Sequence, residues 1–240
     1  MSAENAENPE TPPVATPRPA ATVVLLRDAA GGPEVLMVRR HRGSSFMADA
    51  YVFPGGRVEP SDGEGEAAFA VAAARELAEE AAIVVDAATL VPFARWITPS
   101  AEGKRFDARF FVAAAPPDQV ARHDSVETVD SLWATPADVL ARYERGELKL
   151  PPPTIRNLEE LAAHVTVDAA LAWARGRVFA PILPKLVPLD DTIAIVLPWD
   201  PEYAALPGEG IVIEPTHPTA RPPSRFVLAE GRWWGRAPTL

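Results

Sequence analysis

Three glutamates fall within five positions in the stretch RELAEEAAI, residues 75–83. Glu76, Glu79 and Glu80 are spaced i, i+3 and i+4, so a helix would stack all three on one face. Like charges at that spacing repel by roughly 0.2–0.5 kcal/mol per pair on an exposed helix. Only Arg75 stands close in sequence to offset them. A hard divalent cation removes the repulsion, because Mg²⁺ takes oxygen ligands and completes its shell with water or phosphate oxygens. The plain alternative is a solvated acidic helix face.

The elements around this stretch decide between the two. The segment from about Glu66 to Ala82 is the strongest helix in the chain, built mostly of Ala, Leu, Glu and Arg without Gly or Pro. Upstream, the short apolar run YVF ends in Pro54-Gly55-Gly56, where two glycines let backbone approach a ligand or turn a carbonyl toward a metal. The stretches ATVVLLRD and PEVLMVRR, separated by AAGG, read as a hairpin. IVV, LVPFARWIT, RFDARFFVAA and ETVDSLWA read as further strands. Thr135 and Pro136 open a helix reaching about Arg145, and a second helical run covers about Thr154 to Ala174.

Glycine turn, loop and acidic helix together resemble the Nudix hydrolase signature, G-x5-E-x7-R-E-U-x-E-E-x-G-U with U a bulky aliphatic residue. Arg75, Glu76, Leu77, Glu79 and Glu80 match every constrained position of its R-E-U-x-E-E part, and Ile83 takes the final aliphatic place. Three positions depart. Ala82 stands where the signature has its last glycine. Counted back from Arg75, the first glutamate falls on Ala67, with Glu64 and Glu66 nearby. Gly56 and Arg75 are also five residues further apart than the signature has them, which predicts a bulged loop over RVEPSDGEGE.

The resemblance implies an α+β Nudix fold, a mixed β-sheet sandwiched between helices. It implies that Glu76, Glu79 and Glu80 bind Mg²⁺ or Mn²⁺, with the main-chain carbonyl of Gly55 as a further ligand. Arg75 would orient a neighbouring glutamate, Gly56 would support the turn, and Leu77 would face the core. The implied reaction is cleavage of a diphosphate in a nucleoside diphosphate linked to another moiety. Its general base is Glu76 or Glu127, the latter at the start of the segment VETVDSLWATPADVL.

Residues about 20–165 resemble more narrowly the branch holding the peroxisomal coenzyme A diphosphatases and their bacterial relatives. That likeness rests on Phe46-Met47, the lengthened loop, RFDARFF and LPPPT. Coenzyme A or an acyl-coenzyme A is the substrate it implies. A nucleotide sugar, ADP-ribose or a dinucleotide remains an alternative, as does a Nudix-fold nucleotide sensor without catalysis. The cluster Arg39-Arg40-His41-Arg42 would present Arg39 and His41 on one strand face and Arg40 and Arg42 on the other. Arg39, Arg40 and Arg57 are the candidates for phosphate binding, since guanidinium groups grip phosphate bidentately.

Composition bounds these readings. The 240 residues carry 23 basic and 33 acidic side chains, net −10, which opposes a nucleic-acid polymer as partner but not a small phosphorylated ligand. The absence of cysteine excludes disulfides, thiol nucleophiles and cysteine-bound metal. The acidic start MSAENAENPE lacks the features of a secretory signal, and no apolar run reaches a membrane span, so a cytoplasmic protein without a membrane partner is expected. Residues 1–20 read as a disordered tail, 21–175 as the Nudix domain, and 176–240 as a β-rich extension of unassigned role. Within the extension DTIAIVLP, GIVIEP and SRFVLAEGRWW read as three short strands. Trp199, Trp233 and Trp234 are expected to pack it on the main domain or on a second copy in a homodimer, or else to stack on a base.

Overall fold

A computed structural model describes residues 14–44, 47–122 and 128–236. The strands are β1 (Arg18–Arg27), β2 (Glu34–Arg40), β3 (Tyr51–Val52), β4 (Gly55–Arg57), β5 (Val91–Ile97), β6 (Phe106–Ala114) and β7 (Thr128–Ala134). Among the described residues four α-helices accompany them: α1 (Gly65–Ala81), α2 (Pro136–Glu144), α3 (Pro152–Leu161) and α4 (Val167–Gly176). The main sheet runs β3-β2-β1-β6-β5, with β4 also paired to β1 and β7 to β2. β1 and β6 are parallel while the other pairs are antiparallel, so the sheet is mixed.

Both faces of this sheet are covered, which is why its central strands read as continuous apolar runs. Along β1, Ala21, Val23 and Leu25 turn toward α1, where Ala72, Ala73, Leu77 and Ala81 meet them. The alternate residues Val24 and Leu26 join a larger core with Val139 of α2, Leu158 of α3 and Leu171 of α4. Alanines on the buried face of α1 bring its backbone close to the sheet, and that proximity places the end of the helix beside β4. The fold is the expected α+β architecture, a mixed sheet between helices with a second, smaller sheet near the C terminus.

Several elements differ from the sequence reading, each for a local reason. Strand β1 begins at Arg18, inside the segment read as a tail, because Arg18–Leu26 pair in register with Phe106–Ala114. IVV forms no strand: Gln119 binds Val84 through both its amide oxygen and its amide nitrogen and so satisfies that backbone without a sheet neighbour. The run Thr154–Ala174 divides into α3 and α4, with Thr166 capping α4 through the Ala169 amide. GIVIEP is irregular, its amides taken by Pro198 and by the Tyr203 hydroxyl.

The second sheet has four antiparallel strands in the order β11-β10-β9-β8: β8 (Lys185–Pro188), β9 (Ile193–Val196), β10 (Arg225–Ala229) and β11 (Arg232–Arg236). SRFVLAEGRWW is thus a hairpin instead of one strand. It turns at Glu230-Gly231, both at positive φ as a tight hairpin turn requires.

Ala82 ends α1 at φ 55°, ψ 30°, the left-handed conformation that a glycine at this position supplies freely. An alanine there carries a Cβ that crowds the following carbonyl, at a cost of roughly 1–2 kcal/mol. The side chain is exposed, so it returns little by packing. Ala82→Gly is therefore expected to stabilise the protein by about 1 kcal/mol in denaturant unfolding. An unchanged or lowered midpoint would mean that this helix end is unstrained.

Candidate active site

Five hydrogen bonds converge on one guanidinium. Arg75 donates from Nε to Asp62 Oδ1 at 2.9 Å and from Nη2 to Asp62 Oδ2 at 3.0 Å. Nη1 serves Glu76 Oε1 at 2.9 Å and Glu79 Oε2 at 3.0 Å, and Nη2 also reaches the Arg57 carbonyl at 2.9 Å. Every N–H of the side chain is thereby used. The hydrogen bond to Asp62 is the main reason that the Arg75 guanidinium holds its proton more tightly than usual, with Glu76 adding to it against the cost of burial. Asp62 titrates below the ordinary aspartate range because Arg75 and the Glu59 amide both favour its charged form.

Asp62 is the residue that sequence reasoning missed. Counted back from Arg75, the first glutamate of the signature fell on Ala67; counted forward from Gly56, the same place is Asp62. The side chain of Asp62 is 2% exposed and faces Arg75 bidentately. The surplus residues follow Asp62. They continue into the first turns of α1 after a short 3₁₀ turn at Pro60–Asp62, so no bulge spans the whole of RVEPSDGEGE. Glu64 is the N-cap position of α1, and Glu66 pairs with Arg109 of β6.

The three helix glutamates line one cavity but differ in environment. Glu76 is largely covered, with 12% of its side chain exposed, Glu79 is 58% exposed, and Glu80 is buried. Glu80 Oε2 accepts the Gly55 amide at 3.0 Å, and Thr128 donates to the Glu80 carbonyl at 3.3 Å. Among the described residues no three acidic or histidine side chains are already drawn together closely enough to hold an ion. Arg75 and Gly55 hold the carboxylates in their place.

The glycines explain why this arrangement fits. A Cβ on Gly56 would lie 2.3 Å from Glu76 Oε1, so only glycine leaves that carboxylate its position. A Cβ on Gly55 would lie 2.4 Å from the Ala21 carbonyl, because β4 presses against β1 there. The donor set around the cavity is made of oxygens, which suits a hard divalent cation, and the Gly56 cradle keeps one of those donors in place.

The basic candidates separate. Arg39 is committed to Asp49, donating from Nε at 2.9 Å, and Arg42 reaches the same carboxylate at 3.4 Å. β2 ends at Arg40, so the alternation expected beyond it, with Arg39 and Arg42 on opposite faces, does not hold. Arg40 and Arg57 line the cavity with the glutamates, and Arg40 keeps a buried Nε without a partner. Glu127 lies outside the described residues, as does Phe46. Trp199 is buried in the core, and Trp233 lines the cavity while its backbone meets the Tyr143 hydroxyl.

Residues 16–154 match the NUDIX domain family, and the chain belongs to that family. It is a Nudix-type hydrolase, of a family that generally uses divalent metals and acts on phosphorylated small molecules. The protein named nudix hydrolase 7 in Caenorhabditis elegans is 24% identical over 251 residues, covering 85% of this chain and 84% of its own length. Acyl-coenzyme A diphosphatase NUDT19 of Xenopus laevis is 25% identical over 130 residues, half of this chain and 34% of its own length. This chain thus spans about a third of that relative. The crystal structure of a Nudix hydrolase from Alicyclobacillus acidocaldarius superposes with a TM-score of 0.61 at 28% identity, covering 67% of this chain and 97% of that one.

Gly55→Ala is expected to cost about 2 kcal/mol or more, since the clash is with backbone, whereas Gly56→Ala costs less because the Glu76 side chain can move away. Gly56→Ala then loses turnover while remaining folded; equal unfolding midpoints for the two variants would contradict the contrast. Asp62, with its folded pKa depressed, contributes stability that is present above the ordinary value of 3.8 and lost as pH falls through the folded value. Asp62→Asn should flatten that acid limb of a stability–pH profile and lower stability at neutral pH by about 1–3 kcal/mol.

Proposed function

We propose that the chain hydrolyses the diphosphate bond of a nucleoside diphosphate linked to another moiety, with coenzyme A or acyl-coenzyme A as the preferred class. The observation that carries this reading is a single cavity of about 980 Å³ lined together by Glu76, Glu79, Glu80, Arg40 and Arg57. Glu76, Glu79 and Glu80 hold Mg²⁺ or Mn²⁺, with Gly55 contributing backbone. Such a cation supplies Lewis-acid stabilisation of charge on phosphoryl oxygens and acidifies water.

The remaining work belongs to the chain's own groups. Arg40 and Arg57 grip phosphate oxygens from the two sides of the glycine turn. Arg39 acts indirectly, fixed by Asp49 at the base of the same strand end. Arg75 fixes the position of Glu76 and Glu79, and Gly56 keeps the space that Glu76 occupies. Glu76 or Glu127 takes the proton from the attacking water. The coenzyme A preference is supported by the relative named as an acyl-coenzyme A diphosphatase.

Phosphate-coupled hydrolysis tests the reading on coenzyme A, acyl-coenzyme A, ADP-ribose, a nucleotide sugar, NADH and diadenosine polyphosphates, with Mg²⁺ or Mn²⁺ and an EDTA control. Metal-dependent cleavage of the coenzyme A compounds above the others is expected. Preference for another compound would discard the substrate class and keep the reaction, and binding without turnover on any compound would indicate a sensor. Glu79→Gln and Glu80→Gln should each lower kcat about a hundredfold or more, the scale of losing one charge-stabilising group. Full activity in either would remove that glutamate from the site.

A further inference from the structure

The cavity is much larger than a diphosphate needs, and one of its walls belongs to the C-terminal sheet. Leu186, Ile193, Ile195 and Trp233 all line it. They share one sheet face: Leu186 pairs with Ile195 and Ile195 with Phe226, while Ile193 stands two residues from Ile195 on the same strand. Trp233 pairs with Leu228, two residues from Phe226 on β10, and so lies on that face as well.

The two faces of this sheet are filled unusually. Along β9, Ala194 and Val196 are fully buried, while Ile193 and Ile195 are only half-buried. The row opposite the cavity holds Lys185, Val196 and Arg225, in register with one another. Both cations there are buried and paired from within: Lys185 donates to the carbonyls of Tyr203 at 3.0 Å and Leu206 at 2.6 Å, and Arg225 donates from Nε and Nη2 to Asp200 at 2.6 Å each. The sheet therefore encloses its charges and turns aliphatic side chains toward an open space. Trp96, Phe106 and Leu150 from the main domain carry the apolar lining onward.

The position of the sheet is fixed by directed bonds. The Tyr143 hydroxyl on α2 donates to the Trp233 carbonyl at 2.7 Å and accepts the Trp233 amide at 2.6 Å. Ile182 bridges the edge strand β5, its amide and carbonyl meeting Arg95 and Ile97 at 2.8 Å each. A wall held this way at the far side of a cavity that begins at the glutamates is part of the site.

We propose that this face of the C-terminal sheet binds an apolar arm of the substrate, an alkyl or acyl chain attached through the diphosphate, and so selects chain-bearing substrates over those whose second moiety is polar. The inference rests on the reading of the glutamate site as a diphosphatase centre. Partly exposed aliphatics gain on contact with an alkyl chain in proportion to the area removed from water, and a fully buried methylene contributes about 0.8 kcal/mol. Partial coverage halves that and gives about a twofold gain in affinity for each methylene.

The test compares KM across coenzyme A thioesters of increasing saturated chain length and ADP-ribose, with thermal shift by the same compounds as a readout independent of turnover. The wild-type protein should show KM falling by about twofold per methylene over the first several carbons. Leu186→Ala and Ile195→Ala should flatten that slope, raising KM more for long chains than for short ones. Ile195→Val, which keeps the fold and most of the contact, should retain most of it. Hydrolysis with no chain-length dependence in the wild type would overturn the wall and leave the diphosphatase reading standing. Absence of hydrolysis with a chain-length-dependent thermal shift would do the reverse. A slope unchanged in both alanine variants would also overturn the proposal.

Discussion

The site depends on the placement of like charges. Three carboxylates on one helical turn repel one another, and a fourth, Asp62, is buried beside them. A single guanidinium offsets most of this by pairing with Glu76, Glu79 and Asp62, while the Gly55 amide serves Glu80. A lysine could not do so, because an ammonium offers fewer donors and no planar fork. Arg75 is also what ties the post-glycine loop to the helix, since it binds Asp62 and the Arg57 carbonyl on one side and Glu76 and Glu79 on the other.

That network requires the helix to sit very near the sheet, and the sequence provides for this twice. Alanines at positions 72, 73 and 81 bring α1 onto β1, and two successive glycines remove the side chains that would separate β4 from β1 and from Glu76. The cavity opens where these elements meet. Cationic side chains border it near the glutamates, and the aliphatic face of the second sheet closes it at a distance. A polar, glutamate-lined end and an apolar wall thus share one space.

Much of this was legible in the sequence, and the failures have identifiable causes. The hairpin, the helix with its glutamates, and strands β5 and β6 follow from apolar periodicity and propensity, because burial on both sheet faces writes itself directly into those runs. Asp62 was hidden because an insertion between it and Arg75 spoils a fixed-spacing count in one direction only. IVV was misread because its backbone is satisfied by the Gln119 side chain, a long-range contact invisible to local pattern. The convergence of Arg39 and Arg42 on Asp49 depends on where β2 stops, and strand ends are set by neighbours more than by the residues themselves. The role of residues 185–236 was illegible for a different reason: half-buried aliphatics look the same in sequence whether they face a core or a cavity.

The helix carboxylates are proposed to form together the seat of a divalent cation. Direct Mn²⁺ titration monitored by electron paramagnetic resonance, on the wild-type protein and on Glu76→Gln, Glu79→Gln and Glu80→Gln, tests this without reference to any substrate. Saturable binding that weakens about tenfold or more in each variant is expected, at least the scale of losing a group that supports a metal's ligands. Binding of equal affinity in all four proteins would contradict it, because the cation would then sit elsewhere.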